Sequence, residues 1–114
     1  MITFQTYRPA DLLREIKRLI DQKHITTWSY DSDGDFTHCV AQWQHKAWLK
    51  PHIAASGLVL TILPPRMGVV PWEVYAVYQG RFIESLTAHA HDSFSNAIAT
   101  ASPTANDDTG SRAS

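Results

Sequence analysis

Leu12, Leu13, Ile16, Leu19 and Ile20 recur at helical spacing. At 100° per residue they fall within an arc of about 120°, and Arg14, Glu15, Lys17, Arg18, Asp21 and Gln22 lie outside it. Pro9 suits a first helical turn and Asp11 stands where the helix dipole favours an acid, so an amphipathic helix is predicted over roughly residues 9 to 22. Its charged face mixes signs, with Glu15 and Arg18 three apart and Lys17 and Asp21 four apart, which is the pattern of a solvated surface.

From His24 to Tyr30 the chain turns to β-branched and aromatic residues, Asp31-Ser32-Asp33-Gly34-Asp35 interrupts them, and Phe36 to Val40 resumes them. This predicts a hairpin with an acidic tip. Residues 41 to 50 fit either a short helix through Val40, Trp43 and Ala47 or an irregular connection, and Pro51 is expected to end whichever forms. Leu58 to Leu63, bounded by Gly57 and Pro64-Pro65, reads as a strand, and so does Val74 to Tyr78 after Pro71. Beyond Gly80 a second helical pattern runs through Phe82, Ile83, Leu86, Ala90, Phe94 and Ala97. The expected order is α-β-β-(short element)-β-β-α, an α+β domain over residues 1 to 99 with a largely antiparallel sheet of about four strands between an N-terminal and a C-terminal helix. No bulky residue follows Ile98, so residues 100 to 114 are expected to be a disordered tail.

The two best strand signals alternate Leu58, Leu60 and Ile62 with Val59, Thr61 and Leu63, and Val74, Ala76 and Tyr78 with Tyr75 and Val77. Both faces of each are apolar, and only two long helices exist to cover them. If both helices pack on one face, the other is left for a partner or a second copy of the chain. The aromatic residues Trp28, Trp43, Trp48, Trp72, Tyr7, Tyr30, Tyr75 and Tyr78 fit such an interface or a small core equally well.

Composition narrows the class without naming a function. The chain has 114 residues, ten Lys plus Arg against eleven Asp plus Glu, and a formal charge of -1, so no global field draws it to nucleic acid or to an acidic membrane. No apolar run is long enough to cross a bilayer. One cysteine, Cys39, excludes an internal disulfide framework and a multi-cysteine zinc site, and the cytoplasm is the expected location.

Six histidines invite a metal hypothesis. His38, His45 and His52 stand seven apart, but Pro51 breaks any helix that would align them. On a helix His89 and His91 point about 160° apart and cannot chelate together. The acidic tip resembles the start of an EF-hand calcium loop, yet Phe36 replaces the glycine of the sharp turn and Gln42 the closing glutamate, so a plain hairpin turn is expected and neither metal nor cofactor is assigned. His24-Ile25-Thr26 and His91-Asp92-Ser93 resemble the paired His-x-Thr/Ser signature of the 2H phosphoesterases over six residues; the chain is shorter than that two-lobed fold and the activity is not carried over. Arg81 and Glu84 in a first helical turn, with His91 seven residues beyond Glu84 and His24 elsewhere, offer the materials of an anion clamp and proton shuttle.

The expected function is that of a small cytosolic binding protein docking on another protein, for example an inhibitor or immunity-type antitoxin, through Val59, Leu63, Tyr75 and Val77, with Asp31, Asp33 and Asp35 facing a basic partner. A homodimer through the sheet face is a further possibility for the same surface. The alternative is a small metal-independent hydrolase or nuclease using His24, Arg81, Glu84 and His91, at least three of which would have to meet in one cleft.

Overall fold

The computed structural model describes residues 1–110. Along the chain lie β1 (Ile2–Gln5), α1 (Pro9–Asp21), β2 (Trp28–Tyr30), β3 (Phe36–His38), β4 (Trp48–Ala54), β5 (Gly57–Leu63), α2 (Trp72–Ala90) and β6 (Asn96–Ala99), with a 3-10 turn at His91–Ser93. All strand pairs are antiparallel and form one six-stranded sheet in the order β2-β3-β4-β5-β1-β6. The α+β class and the two flanking helices are as expected, but the sheet has six strands rather than about four.

α1 forms where the apolar period placed it, with Pro9 in its first turn and Leu12, Ile16 and Leu19 buried. Glu15 accepts from Arg18 at 2.8 and 2.6 Å on the wet face. The helix stops in a Schellman turn: Lys23 N–H donates to the Ile20 carbonyl, His24 N–H to that of Leu19, and Lys23 takes the left-handed φ of 62°. The β2–β3 hairpin also matches its pattern, with Gly34 N–H donating to the Asp31 carbonyl and Gly34 at φ 83°.

Four expectations are corrected. Val74–Tyr78 is not a strand but the first half of α2, which runs unbroken through Gly80. Val74, Tyr75, Tyr78, Gln79, Phe82, Leu86 and Ala90 repeat every three to four residues on its buried side, and that packing overrides the β-propensity of Val and Tyr. Pro51 ends nothing, because it sits inside β4 opposite Leu60. β3 pairs with β4 only at Phe36 and Leu49, so the missing N–H of Pro51 costs no ladder bond. Ile2 and Phe4, both fully buried, make β1 a central strand with no counterpart in the expected order. Finally, residues 94 to 99 leave the helix: Asn96–Ala99 pair with β1 as the edge strand β6.

Residues 100–110 are not a disordered tail. Asp108 N–H donates to the Ile62 carbonyl at 2.9 Å and Val70 N–H to the Thr109 carbonyl at 2.7 Å, so the segment lies along the end of β5 and the entry to α2. Residues 111–114 lie outside the described residues.

Both helices pack on one face of the sheet. Phe82 of α2 meets Phe4, Phe36 and Trp28 at ring-centre distances of 6.0, 5.3 and 4.9 Å. Leu12, Ile16 and Leu19 of α1 join the same cluster with Leu49, Leu58, Leu60 and Ile62. Trp28, Tyr75 and Tyr78 are therefore core residues, whereas Tyr7 and Trp72 are exposed. No described helix is long and apolar enough to cross a membrane.

Candidate partner-binding face

Directly paired residues of an antiparallel ladder share a face. Leu58, Leu60 and Ile62 point to the helices, so Val59, Thr61 and Leu63 point away from them. On that helix-free face Val59 lies opposite His52 on one side and Thr3 on the other, Thr3 lies opposite Ile98, Thr61 opposite Lys50, and Leu63 opposite Trp48. Val59, Leu63 and Trp48 are half-buried by one another's neighbours, and Ile98 is 54% exposed. Thr61 is buried and accepts or donates a 2.9 Å hydrogen bond with His52 Nε2, which holds the imidazole down on the strand. The surface so built carries Ile98, Val59, Leu63 and Trp48 interleaved with Thr3, Thr61, His52 and Lys50.

The other candidates separate. Tyr75 is enclosed in the core side of α2, with its hydroxyl 2.6 Å from the Met1 ammonium, and is closed to a partner. Val77 lies half-buried on α2, in a shallow groove with Ala76, Gly80, Arg81 and Glu84, and shares no face with Val59 or Leu63. At the hairpin tip Asp31 and Asp33 are exposed but Asp35 is buried. Met67 and Val69, which sequence reasoning did not single out, are exposed on the loop into α2, and Trp72, one of the aromatics weighed for an interface, is exposed at the first position of that helix; the Pro64-Pro65 and Pro71 boundaries mark the loop, though not its exposure.

Of the proposed acid-base set only Arg81 and Glu84 are brought together, as an exposed ion pair at 3.4 Å. His91 instead lies 3.5 Å from Asp92 and bonds the Thr87 carbonyl at 3.1 Å, and His24 is exposed in the turn after α1. The histidine that the fold does build in is His38. Its ring stacks on Trp28 at 4.5 Å, and Nδ1 donates to the Thr27 carbonyl at 2.7 Å. Burial pushes its pKa below the ordinary value, against the Thr27 hydrogen bond and with help from the Arg81 charge, so the ring is held neutral. Trp28 Nε1 is the one fully buried side-chain polar atom without a hydrogen-bond partner among the described residues.

A polar knot ties the ends of the described chain together. The Met1 ammonium lies 2.6 Å from Tyr75 Oη, 2.8 Å from Gln79 Oε1, 3.0 Å from Thr100 Oγ1 and 3.0 Å from Asp107 Oδ2. Asp107, whose side chain is fully buried, also accepts from Ile62 N–H and Thr104 N–H at 2.9 and 2.8 Å. Burial alone would raise its pKa, but those two N–H groups and the ammonium outweigh burial and hold the carboxyl below its ordinary value.

The fold and the open face define an α+β domain with both helices on one side of an antiparallel sheet. No protein-family model matches the chain, and no curated protein and no solved structure is significantly similar to it.

Proposed function

We propose that this is a small binding protein that docks on another protein through its helix-free sheet face, as an inhibitor or immunity-type antitoxin masks an enzyme. The observation that carries the reading is the one-sided packing of α1 and α2, which leaves Val59, Leu63 and Trp48 half-covered on the open face, with exposed Ile98 across Thr3 from Val59. Apolar and aromatic side chains that share one face with Lys50, His52 and two threonines have the mixed make-up of a protein interface. The hydrolase or nuclease alternative has less behind it, since only Arg81 and Glu84 of its four residues meet.

The test is affinity capture from the native cell with the wild-type chain and with a Val59→Glu, Leu63→Glu variant, each first shown to be folded by its circular dichroism. A stoichiometric protein bound by the wild type and lost by the variant is the expected result. Equal capture by both, or none by either with a monomer in sedimentation, sinks the reading. A wild-type dimer that the variant dissolves would make the partner a second copy.

A further inference from the structure

We propose that Asp31, Asp33 and Asp35 at the β2–β3 hairpin form a binding site for a hard divalent cation, calcium in the first place. The proposal is independent of the docking face. One oxygen from each of the three carboxylates lies within 4.8 Å of the other two, no farther than two oxygens facing each other across a calcium ion at about 2.4 Å.

Proximity of acids alone would be unremarkable on a turn. The separate observation is Asp35. It is only 8% exposed, and no hydrogen bond or ion pair from a described residue reaches its carboxylate, which is turned instead toward Asp31 and Asp33. Carboxylates this enclosed are ordinarily paired, because losing most of their water without a partner is costly. Burial, and then the Asp31 charge, push the Asp35 pKa up; Lys50 and His52 pull it down through space but stand too far for an ion pair. A cation held among the three carboxylates supplies the missing partner.

The remaining ligand atoms are in place. Asp31 spends Oδ1 on the N–H groups of Asp33 and Asp35 at 3.0 and 2.9 Å, which fixes the loop, while Oδ2 and the Asp33 carboxylate make no hydrogen bond within the described residues. The Asp35 oxygens are not sealed from solvent, so an ion has a way in. Three carboxylates completed by water make a weak site, with a Kd of about 0.1 to 1 mM. All-oxygen donors with no fixed octahedral arrangement favour calcium over magnesium, which demands a tighter octahedron.

The full chain would be heated in about 10 mM calcium chloride, in magnesium chloride and in potassium chloride of equal ionic strength, and titrated with terbium, whose emission Tyr30 beside the loop would sensitise. Calcium should raise Tm by about 4 °C over the potassium control, and terbium should luminesce and be displaced by calcium. Asp33→Asn, which breaks no hydrogen bond of the fold, should lose both responses. Asp35→Asn should melt higher than wild type without calcium, since a neutral amide replaces the unpartnered carboxylate, and should not respond to the ion. No calcium rise together with no terbium emission overturns the proposal, and so does a rise that persists undiminished in both variants. A magnesium response equal to the calcium response overturns the assignment to calcium.

Discussion

Asp107 accepts hydrogen bonds from Thr104, Ile62 and the Met1 ammonium, so one carboxylate joins β5, the start of β1 and the closing segment. Its folded pKa lies below the ordinary 3.8, so the folded state binds fewer protons than the unfolded chain near that pH. The contribution is present above pH 3.8 and is lost as pH falls through the folded value. Replacing Asp107 by Asn keeps the shape but removes the charge that faces the ammonium, and should cost about 3 kcal/mol at pH 7. Denaturant titrations from pH 7 to 2 should show the wild type converging on the variant at the acid end. Parallel curves would mean that Asp107 titrates alike folded and unfolded. His38, held neutral by burial, adds a second loss of the same sign at higher pH, as the unfolded imidazole protonates below its ordinary 6.5.

At the scale of elements, α2 shows local preference yielding to packing. Gly80 lies exposed in the middle of the helix, and a methyl group added there meets no atom within 4 Å. Gly80→Ala should therefore stabilise the protein by about 0.5 to 1 kcal/mol, measured as a shift of the urea midpoint at constant slope. A loss of stability would show that the helix is interrupted there. Gly80 is also where sequence reading divided a strand from a helix. The period Val74, Tyr75, Tyr78, Gln79 and Phe82 crosses the glycine without a break, but β-branched and aromatic residues in a short window look like a strand. α1, the hairpin and β5 were legible because their periods are long or bounded by Gly and Pro. β1 carried a readable alternation, Ile2 and Phe4 against Thr3 and Gln5, too short to stand out. β6 was not legible, since Asn, Ala, Ile and Ala become a strand only by pairing with β1. The same split runs through the site: Val59 and Leu63 follow from alternation in a correctly placed strand, while Tyr75 and Val77 inherited their face from a misplaced one. The burial of Asp35 depends on tertiary neighbours and has no local signal.

For the molecule as a whole, the open sheet face and the closing segment lead to opposite expectations about what can be removed. Val59 and Leu63 are half-buried and lie across the sheet from the core that the helices close, so changing either should alter binding more than folding. Residues 101–110 are short of bulky apolar groups, yet they supply Asp107 to the Met1 ammonium, the Asp108 N–H to Ile62, the Thr109 carbonyl to Val70 and the Ser102 carbonyl to the Tyr75 hydroxyl at 3.2 Å. The partners are spread over the start of β1, the end of β5, the loop into α2 and α2 itself, and a chain ending at Thr100 leaves the ammonium, the Tyr75 hydroxyl and the Ile62 backbone with fewer protein partners. Loss of the Asp107 pair alone costs about 3 to 5 kcal/mol, equivalent to about 12 to 20 °C in Tm for a domain of this size. Calorimetry of the chain ended at Thr100 should therefore show a Tm lower by at least that amount, and hydrogen exchange should show faster opening of the Ile62 and Val70 amides. An unchanged Tm would mean that the segment rests on a fold complete without it, and that composition alone had described it correctly.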